Sequence, residues 1–144
     1  MNERPAEKEE NGRGPRRFLV HCGPHYAKEV LHAVVFVPKA DRKAAALMNE
    51  VRAGDLFFLA SEAGVGAVGK ALHPCRVAPF PAWRYAECTP GERGYLAELR
   101  LVLLPEPVPV APGPYLRELS PAAATELRAA IGRILPDSAA GRKG

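Results

Sequence analysis

Residues 18–72 read FLVHCGPHYAKEVLHAVVFVPKADRKAAALMNEVRAGDLFFLASEAGVGAVGKAL, and this stretch decides the fold. Its apolar runs have strand length and are separated by Gly, Pro and Asp. The pattern predicts strands over 18–22, 34–37, 56–60 and 65–72. Pro24 suits the first turn of a short helix ending near Leu31, and Asp41 is a good N-cap for a helix over 42–51. The run 56–60 is apolar on both faces, which predicts a strand covered on both sides.

The second half of the chain combines many prolines with one long alternating strand. Proline has no N–H to donate, so the proline-rich segments are expected to be extended loops or edges. On one face of the alternating strand we place Tyr95, Ala97, Leu99, Leu101 and Leu103. Ser120 and Pro121 predict the start of a last helix, which ends near Leu135. Because only the first connections are helical, we expect an α+β fold, a mixed β-barrel of five to six strands flanked by two to three short helices.

Length and composition predict one domain over residues 16–136, with disordered tails at 1–15 and 137–144. No apolar run is long enough to cross a bilayer and no secretory signal opens the chain, so we expect a cytoplasmic protein without membrane contact. The formal net charge of +4 is compatible with a nucleic-acid surface but does not by itself indicate one. Three cysteines without a signal sequence are expected to be free thiols.

The glycine run at 64–70 satisfies the dinucleotide pattern GxGxxG and most of the P-loop pattern. Both patterns need a helix to begin within the motif, so that its first amides can hold phosphate. Pro74 follows too soon for such a helix, and Ala71 stands where the P-loop needs Ser or Thr. We therefore predict a glycine-rich strand here.

Metal binding and catalysis have weak support in the sequence. His21, Cys22 and His25 are close together, but His21 and Cys22 would face opposite sides of a strand. No Cys/His pair has a supporting local signature, and no carboxylate pair indicates acid–base chemistry. We expect no metal, no cofactor and no catalytic residue.

Three phrases carry a resemblance to a known family: FVPK at 36–39, AGDLFFLAS at 53–61 and GVGAVGK at 64–70. Together with the order of elements, they resemble the EVE and YTH domains of the PUA-like superfamily, small barrels that read modified bases. The resemblance covers about residues 18–135 and is strongest before residue 73. It implies a non-catalytic domain, monomeric or weakly dimeric, that binds RNA or DNA and accepts a base, modified or not, in an aromatic-walled pocket.

The resemblance and the chemistry of base stacking together select the candidate site. Phe36 stands where the family usually has Trp, and Ser61 would lie near the pocket mouth. A flat base needs two or three aromatic walls, since stacking contributes about 1–3 kcal/mol per base. Trp83, the only Trp, and Tyr85 are the other candidate walls, although Trp83 would equally serve to anchor its loop. The predicted base-binding set is Phe36, Pro38, Lys39, Arg42, Lys43, Ser61, Trp83, Arg84 and Tyr85.

Two alternatives stay open. In the first, the same pocket takes a free nucleotide or nucleoside. The protein would then be a binder or hydrolase resembling the related ASCH domains, with Lys39 or Lys70 as the candidate general base. In the second, the chain is a structural interaction domain with an apolar surface patch.

Overall fold

The computed structural model describes residues 14–134, and its strands form one curled, mixed sheet. The seven strands are β1 (Arg17–His21), β2 (Val34–Pro38), β3 (Leu56–Ser61), β4 (Gly64–Ala71), β5 (Arg76–Pro79), β6 (Arg93–Val108) and β7 (Leu116–Glu118). The helices are α1 (Tyr26–His32), α2 (Arg42–Met48) and α3 (Pro121–Ile134), with two 3-10 segments, Gly23–His25 and Ala82–Glu87. The α+β class is confirmed. The predicted disordered tails lie outside the described residues, apart from Gly14 and Pro15.

The strand order is β2-β6-β4-β3-β1-β7, with β5 paired to β6. The β1–β3 pair is parallel and the other pairs are antiparallel. The β1–β3 crossover contains α1, β2 and α2, as a parallel pair requires a long connection. The strands β2 and β7 are therefore the two ends of the order.

Strands β1 and β3 are apolar on both faces because two cores enclose them. Phe18 and Phe57 stack in the main core at 5.1 Å between ring centroids. The intervening side chains, Leu19 and Phe58, point the other way and pack with Leu127 of α3. This arrangement confirms the prediction that residues 56–60 are covered on both sides.

The predicted helix starts are confirmed by their caps. The Asp41 carboxylate accepts a hydrogen bond from the Ala44 N–H at 3.3 Å, and the Ser120 hydroxyl accepts one from the Ala123 N–H at 3.1 Å. Helix α2 ends at Met48, three residues before the predicted end, although Val51 is buried as expected.

The glycine run forms β4, and no helix begins in it. A Cβ at Gly66 would lie 2.3 Å from the Tyr26 hydroxyl, so this glycine allows α1 to approach the sheet. None of the helices within residues 14–134 is long and apolar enough to span a membrane.

Two predictions for the second half were wrong. Leu103 was predicted to share one face of β6 with Ala97 and Leu99, which are buried, but it is 64% exposed, and its neighbour Val102 is 59% exposed. The proline-rich stretch also contains a 3-10 helix at Ala82–Glu87, where extended structure was expected. Pro81 precedes this helix as its N-cap, so its missing N–H breaks no helical hydrogen bond.

Candidate functional site

A cluster of buried polar side chains lies between β2 and β7, the two end strands of the curled sheet. We call this place the seam. At β2 the backbone of Phe36 has no second strand beside it, and buried backbone groups need partners. Two side chains supply them. The Phe36 N–H donates to the Glu29 carboxylate at 3.4 Å, and the Phe36 carbonyl accepts from Nη1 of Arg84 at 3.3 Å. Glu29 and Arg84 thus replace a neighbouring strand at this residue.

Glu29 projects from α1 into the protein and is completely buried. Its Oε2 also accepts a hydrogen bond from the Tyr115 hydroxyl at 2.5 Å, and Tyr115 immediately precedes β7. The other oxygen, Oε1, has no hydrogen-bond partner among residues 14–134. Burial raises the pKa of Glu29, while Tyr115, Cys22, the Phe36 N–H and Arg84 act in the opposite direction. Burial, with the Glu29 charge added, also raises the pKa of Tyr115 well above its usual value.

Arg84 extends from the 3-10 helix Ala82–Glu87 into the seam and is 6% exposed. Its Nη1 lies 3.9 Å from Oε2 of Glu29, and its Nε donates to Glu87 at 2.8 Å. The guanidinium carbon lies 5.6 Å from the ring centroid of Phe36 and 5.9 Å from that of Tyr115. A flat cation therefore rests near two aromatic rings and a buried carboxylate, a favourable cation–π arrangement. We call the space that the Arg84 guanidinium fills between Glu29, Phe36 and Tyr115 the seam slot.

His25, at the start of α1, contacts the 3-10 helix Ala82–Glu87 that carries Arg84. Its Nε2 lies 2.8 Å from Oε2 of Glu87, the carboxylate that also holds Arg84. Burial lowers the pKa of His25, as does the nearby charge of Arg84, and the Glu87 carboxylate partly offsets both effects. Nε2 is the donor in this contact, since a carboxylate only accepts.

Phe36 is present at the seam but is not an open wall. Its ring is fully buried, edge-on to Phe80 at 4.9 Å between centroids, with Arg84 over the ring. The prediction of an accessible ring at Phe36 is corrected, because Phe80 and Arg84 cover the ring.

The other aromatic candidates flank Arg84 on the same 3-10 helix. Trp83 stacks on His32 at the end of α1, with 4.7 Å between centroids and 11° between planes. Its indole N–H is buried without a partner among the described residues. This contact fits the anchoring alternative for Trp83. Tyr85 is 62% exposed and leaves a ring free at the surface beside the segment.

The predicted cations lie together on the outside of the domain. Pro38 ends β2, Lys39 follows in the turn, and Arg42 and Lys43 begin α2. All three cationic side chains are exposed, and Nζ of Lys39 lies 5.7 Å from the Tyr95 ring centroid. They follow Phe36 along the chain, so a basic surface borders β2 at its carboxyl end.

Ser61 is placed elsewhere. It ends β3 and lines a separate recess of about 360 Å³ with His21, Gly23, Val110, Pro112 and Gly113. Phe36 and Trp83 do not line that recess, so Ser61 does not share it with the two aromatic side chains predicted beside it.

Sequence reasoning missed Glu29 and Tyr115. A signal for Glu29 was present, since Tyr26, Glu29 and Val30 share one face of α1 while Leu31 is 70% exposed. An acid in the middle of the inward face of a short helix indicates a buried charge. Tyr115 lies in a proline-rich loop, where no periodic pattern marks it.

Other chemistry-bearing groups do not converge in the described part of the chain. Within residues 14–134 there is no group of three or more His, Cys, Asp or Glu side chains placed to hold a metal. Cys22, Cys75 and Cys88 are free thiols, and burial raises the pKa of Cys22. Lys70 is exposed on β4.

Comparisons with known proteins identify the fold. No family model matches the sequence, and no curated protein matches it. Among solved structures, the crystal structure of the Mmi1 YTH domain is similar, with a TM-score of 0.59, 10% identity, and coverage of 83% of this chain and 89% of that one. The Mmi1 YTH domain in complex with RNA gives a TM-score of 0.57 and 9% identity, covering 83% of this chain and 79% of that one. The chain has a YTH-like fold, whereas the EVE family, which the resemblance favoured within this group of barrels, is not confirmed.

Proposed function

We propose that this protein is a non-catalytic nucleic-acid-binding domain that receives one base at the seam slot. The observation that carries the proposal is the position of the Arg84 guanidinium, a flat group held near two aromatic rings beside a buried carboxylate. A flipped base is also flat, and is held by stacking and by hydrogen bonds to its edge. RNA is the first nucleic acid to test, because a protein of the same fold has been solved with RNA.

The nucleic-acid strand would cross the surface between two groups of exposed side chains. One group is the cations Lys39, Arg42 and Lys43, and the other is Tyr85 on the 3-10 helix. Lys39, Arg42 and Lys43 offer three exposed cations for phosphates. Tyr85, exposed on the 3-10 helix, offers a ring on which a neighbouring base stacks. The proposal thus keeps the predicted cations and Tyr85, and gives Trp83 the role of fixing the segment to α1 through His32.

Catalysis is not part of the proposal. The two lysines considered as a general base, Lys39 and Lys70, are both exposed and are not among the residues that enclose the seam slot. The free-nucleotide alternative uses the same slot and differs in one measurable respect. An oligonucleotide bound along the cations is released by salt far more steeply than a mononucleotide.

The test is fluorescence anisotropy with labelled single-stranded RNA and DNA nonamers over a series of salt concentrations. We expect affinity that falls with salt, and a shallower salt slope after Arg42→Ala with Lys43→Ala. Tyr85→Ala should weaken binding about fivefold to a hundredfold, the loss of one stacking contact. Arg128→Ala is the matched control, since it removes an exposed cation from α3.

Two results would count against the function. One is the absence of binding to every oligonucleotide at low salt. The other is equal weakening by Arg128→Ala and by the Arg42, Lys43 and Tyr85 changes, which would indicate nonspecific attraction to net charge alone.

A further inference from the structure

We infer, on the basis of the proposed function, that the seam slot selects bases that carry a positive charge, and that Arg84 fills it as an internal stand-in for such a base. The inference concerns the chemical class of the ligand. It follows from what surrounds the guanidinium of Arg84: two aromatic rings, a backbone carbonyl and a fully buried carboxylate.

The rings favour a cation over a neutral heterocycle. The face of an aromatic ring carries negative electrostatic potential, and a cation within about 6 Å of the centroid is attracted, more strongly when water is excluded. The guanidinium of Arg84 satisfies this for both Phe36 and Tyr115 and is itself almost completely buried. A neutral base would gain stacking in the same place but would lose this attraction.

Glu29 strengthens the preference. Any ligand that enters the slot displaces Arg84 from a carboxylate that is 0% exposed. A neutral ligand leaves that carboxylate without a counter-charge or requires it to take up a proton, and both are costly. A cationic ligand replaces the lost charge directly. The unpartnered Oε1 of Glu29 provides an acceptor for an N–H on the edge of the incoming base.

Arg84 has a partner available when it leaves. Its Nε is already bonded to Glu87, whose side chain is 39% exposed and is also held by His25. The guanidinium can move outward with the flexible side chain while the ion pair with Glu87 persists at the surface. When a base displaces Arg84, the base takes over the contacts with Glu29, Phe36 and Tyr115, and Arg84 keeps its contact with Glu87.

Bases of the required class arise by methylation of a ring nitrogen. N1-methyladenine and N7-methylguanine are planar, delocalised cations at neutral pH, and each keeps an exocyclic amino group as a donor. N6-methyladenine is an isomer of N1-methyladenine that stays neutral. The two isomers match in composition and number of methyl groups, so their comparison isolates charge and methyl position.

The experiment measures binding of the full-length protein to three RNA nonamers that differ at one central adenosine: unmodified, N6-methylated or N1-methylated. We expect the N1-methylated strand to bind about tenfold more tightly than its isomer, the gain expected from one desolvated cation–π contact. A nonamer with central N7-methylguanosine should show the same advantage over guanosine. The dependence on Glu29 is tested with Glu29→Gln, which should reduce both ratios to about one while neutral strands still bind.

Arg84→Met provides a second variant. It removes the internal competitor but keeps an unbranched side chain, and should tighten binding of the N1-methylated strand. Circular dichroism confirms that each variant is folded. If Glu29→Gln does not fold, the isomer comparison in the natural sequence and in Arg84→Met still decides the question.

The outcomes separate the two proposals. Equal affinity for the two methyladenosine strands, with the salt and Tyr85 effects intact, overturns the charge preference and leaves the nucleic-acid function standing. Tighter binding of the N6-methylated strand overturns it as well. No binding to any strand overturns both.

Discussion

The ion pair between Arg84 and Glu29 is the contact on which the account of the seam depends, and a double-mutant cycle measures it. The variants are Arg84→Met, Glu29→Gln and the double variant. Arg84→Met leaves the buried Glu29 carboxylate uncompensated, which typically costs about 3–5 kcal/mol, whereas Glu29→Gln leaves Arg84 paired with Glu87 and should cost less. The double variant leaves no buried charge uncompensated, so the effects of the single changes should not add.

The separation of 3.9 Å sets the size of the coupling. Coulomb's law at an effective dielectric constant of 20 gives about 4 kcal/mol at that distance. The comparison pair is Arg76 and Glu98, which are closer at 3.3 Å but have side chains 57% and 39% exposed. For that pair solvent screening predicts a coupling of about 1 kcal/mol or less. Burial rather than distance should therefore decide which pair is stronger.

The assay is urea denaturation at pH 7, followed by the fluorescence of Trp83, the only Trp in the chain. The indole stacks on His32 in the folded protein, so unfolding changes its surroundings. We expect a coupling energy of about 2–4 kcal/mol for Arg84 with Glu29. A value no larger than that of the Arg76–Glu98 cycle would refute the buried ion pair, and with it the view of Arg84 as a cation bound in the slot.

Three further outcomes are expected. The pKa of Glu29 is raised in the folded protein. The stabilisation that this shift provides is therefore fully present below the ordinary pKa of 4.5, and it is lost as the pH rises through the raised pKa of the folded protein. The stability of the natural protein relative to Glu29→Gln should then decrease over that window, whereas parallel curves would contradict the shift. Gly94→Ala places a Cβ 2.4 Å from the carbonyl of Val37 and should cost about 2 kcal/mol or more by denaturation, while the control Gly132→Ala, with nothing within 4 Å in the interior of α3, should be neutral or stabilising. Tyr115→Phe removes the donor to buried Glu29 and should lower stability by about 1.5–3 kcal/mol at pH 7, so an unchanged unfolding midpoint would contradict the hydrogen bond.

Local patterns were enough to predict much of the fold. The strands at 18–22 and 56–60 were found because their apolar runs are bounded by Gly, Pro and Asp, and the starts of α2 and α3 because Asp41 and Ser120 are good caps. The glycine run was correctly assigned to a strand, since proline follows before a helix can form. In each case the determining residues lie within a few positions of each other.

The seam slot could not be predicted in the same way. Glu29, Arg84 and Tyr115 come from three distant parts of the chain and meet only when the sheet curls. Sequence alone included Arg84 in the base-binding set beside Trp83, whereas the structure buries its guanidinium against Glu29. Phe36 was predicted as an open wall, whereas its ring is buried against Phe80 and Arg84, which come from a distant part of the chain.

The most direct test of the central claim follows the Nη–H signals of Arg84 by nuclear magnetic resonance, assigned by their loss in Arg84→Met. In the free protein we expect slow solvent exchange of the Nη1 protons, because the guanidinium is buried and Nη1 donates to the Phe36 carbonyl at 3.3 Å, a contact that displacement would break. Saturation with the N1-methyladenosine strand should shift these signals and speed their exchange, as the base takes the place of the guanidinium. Signals that keep their position and their protection at saturation would show that Arg84 stays in the slot and that the base binds elsewhere.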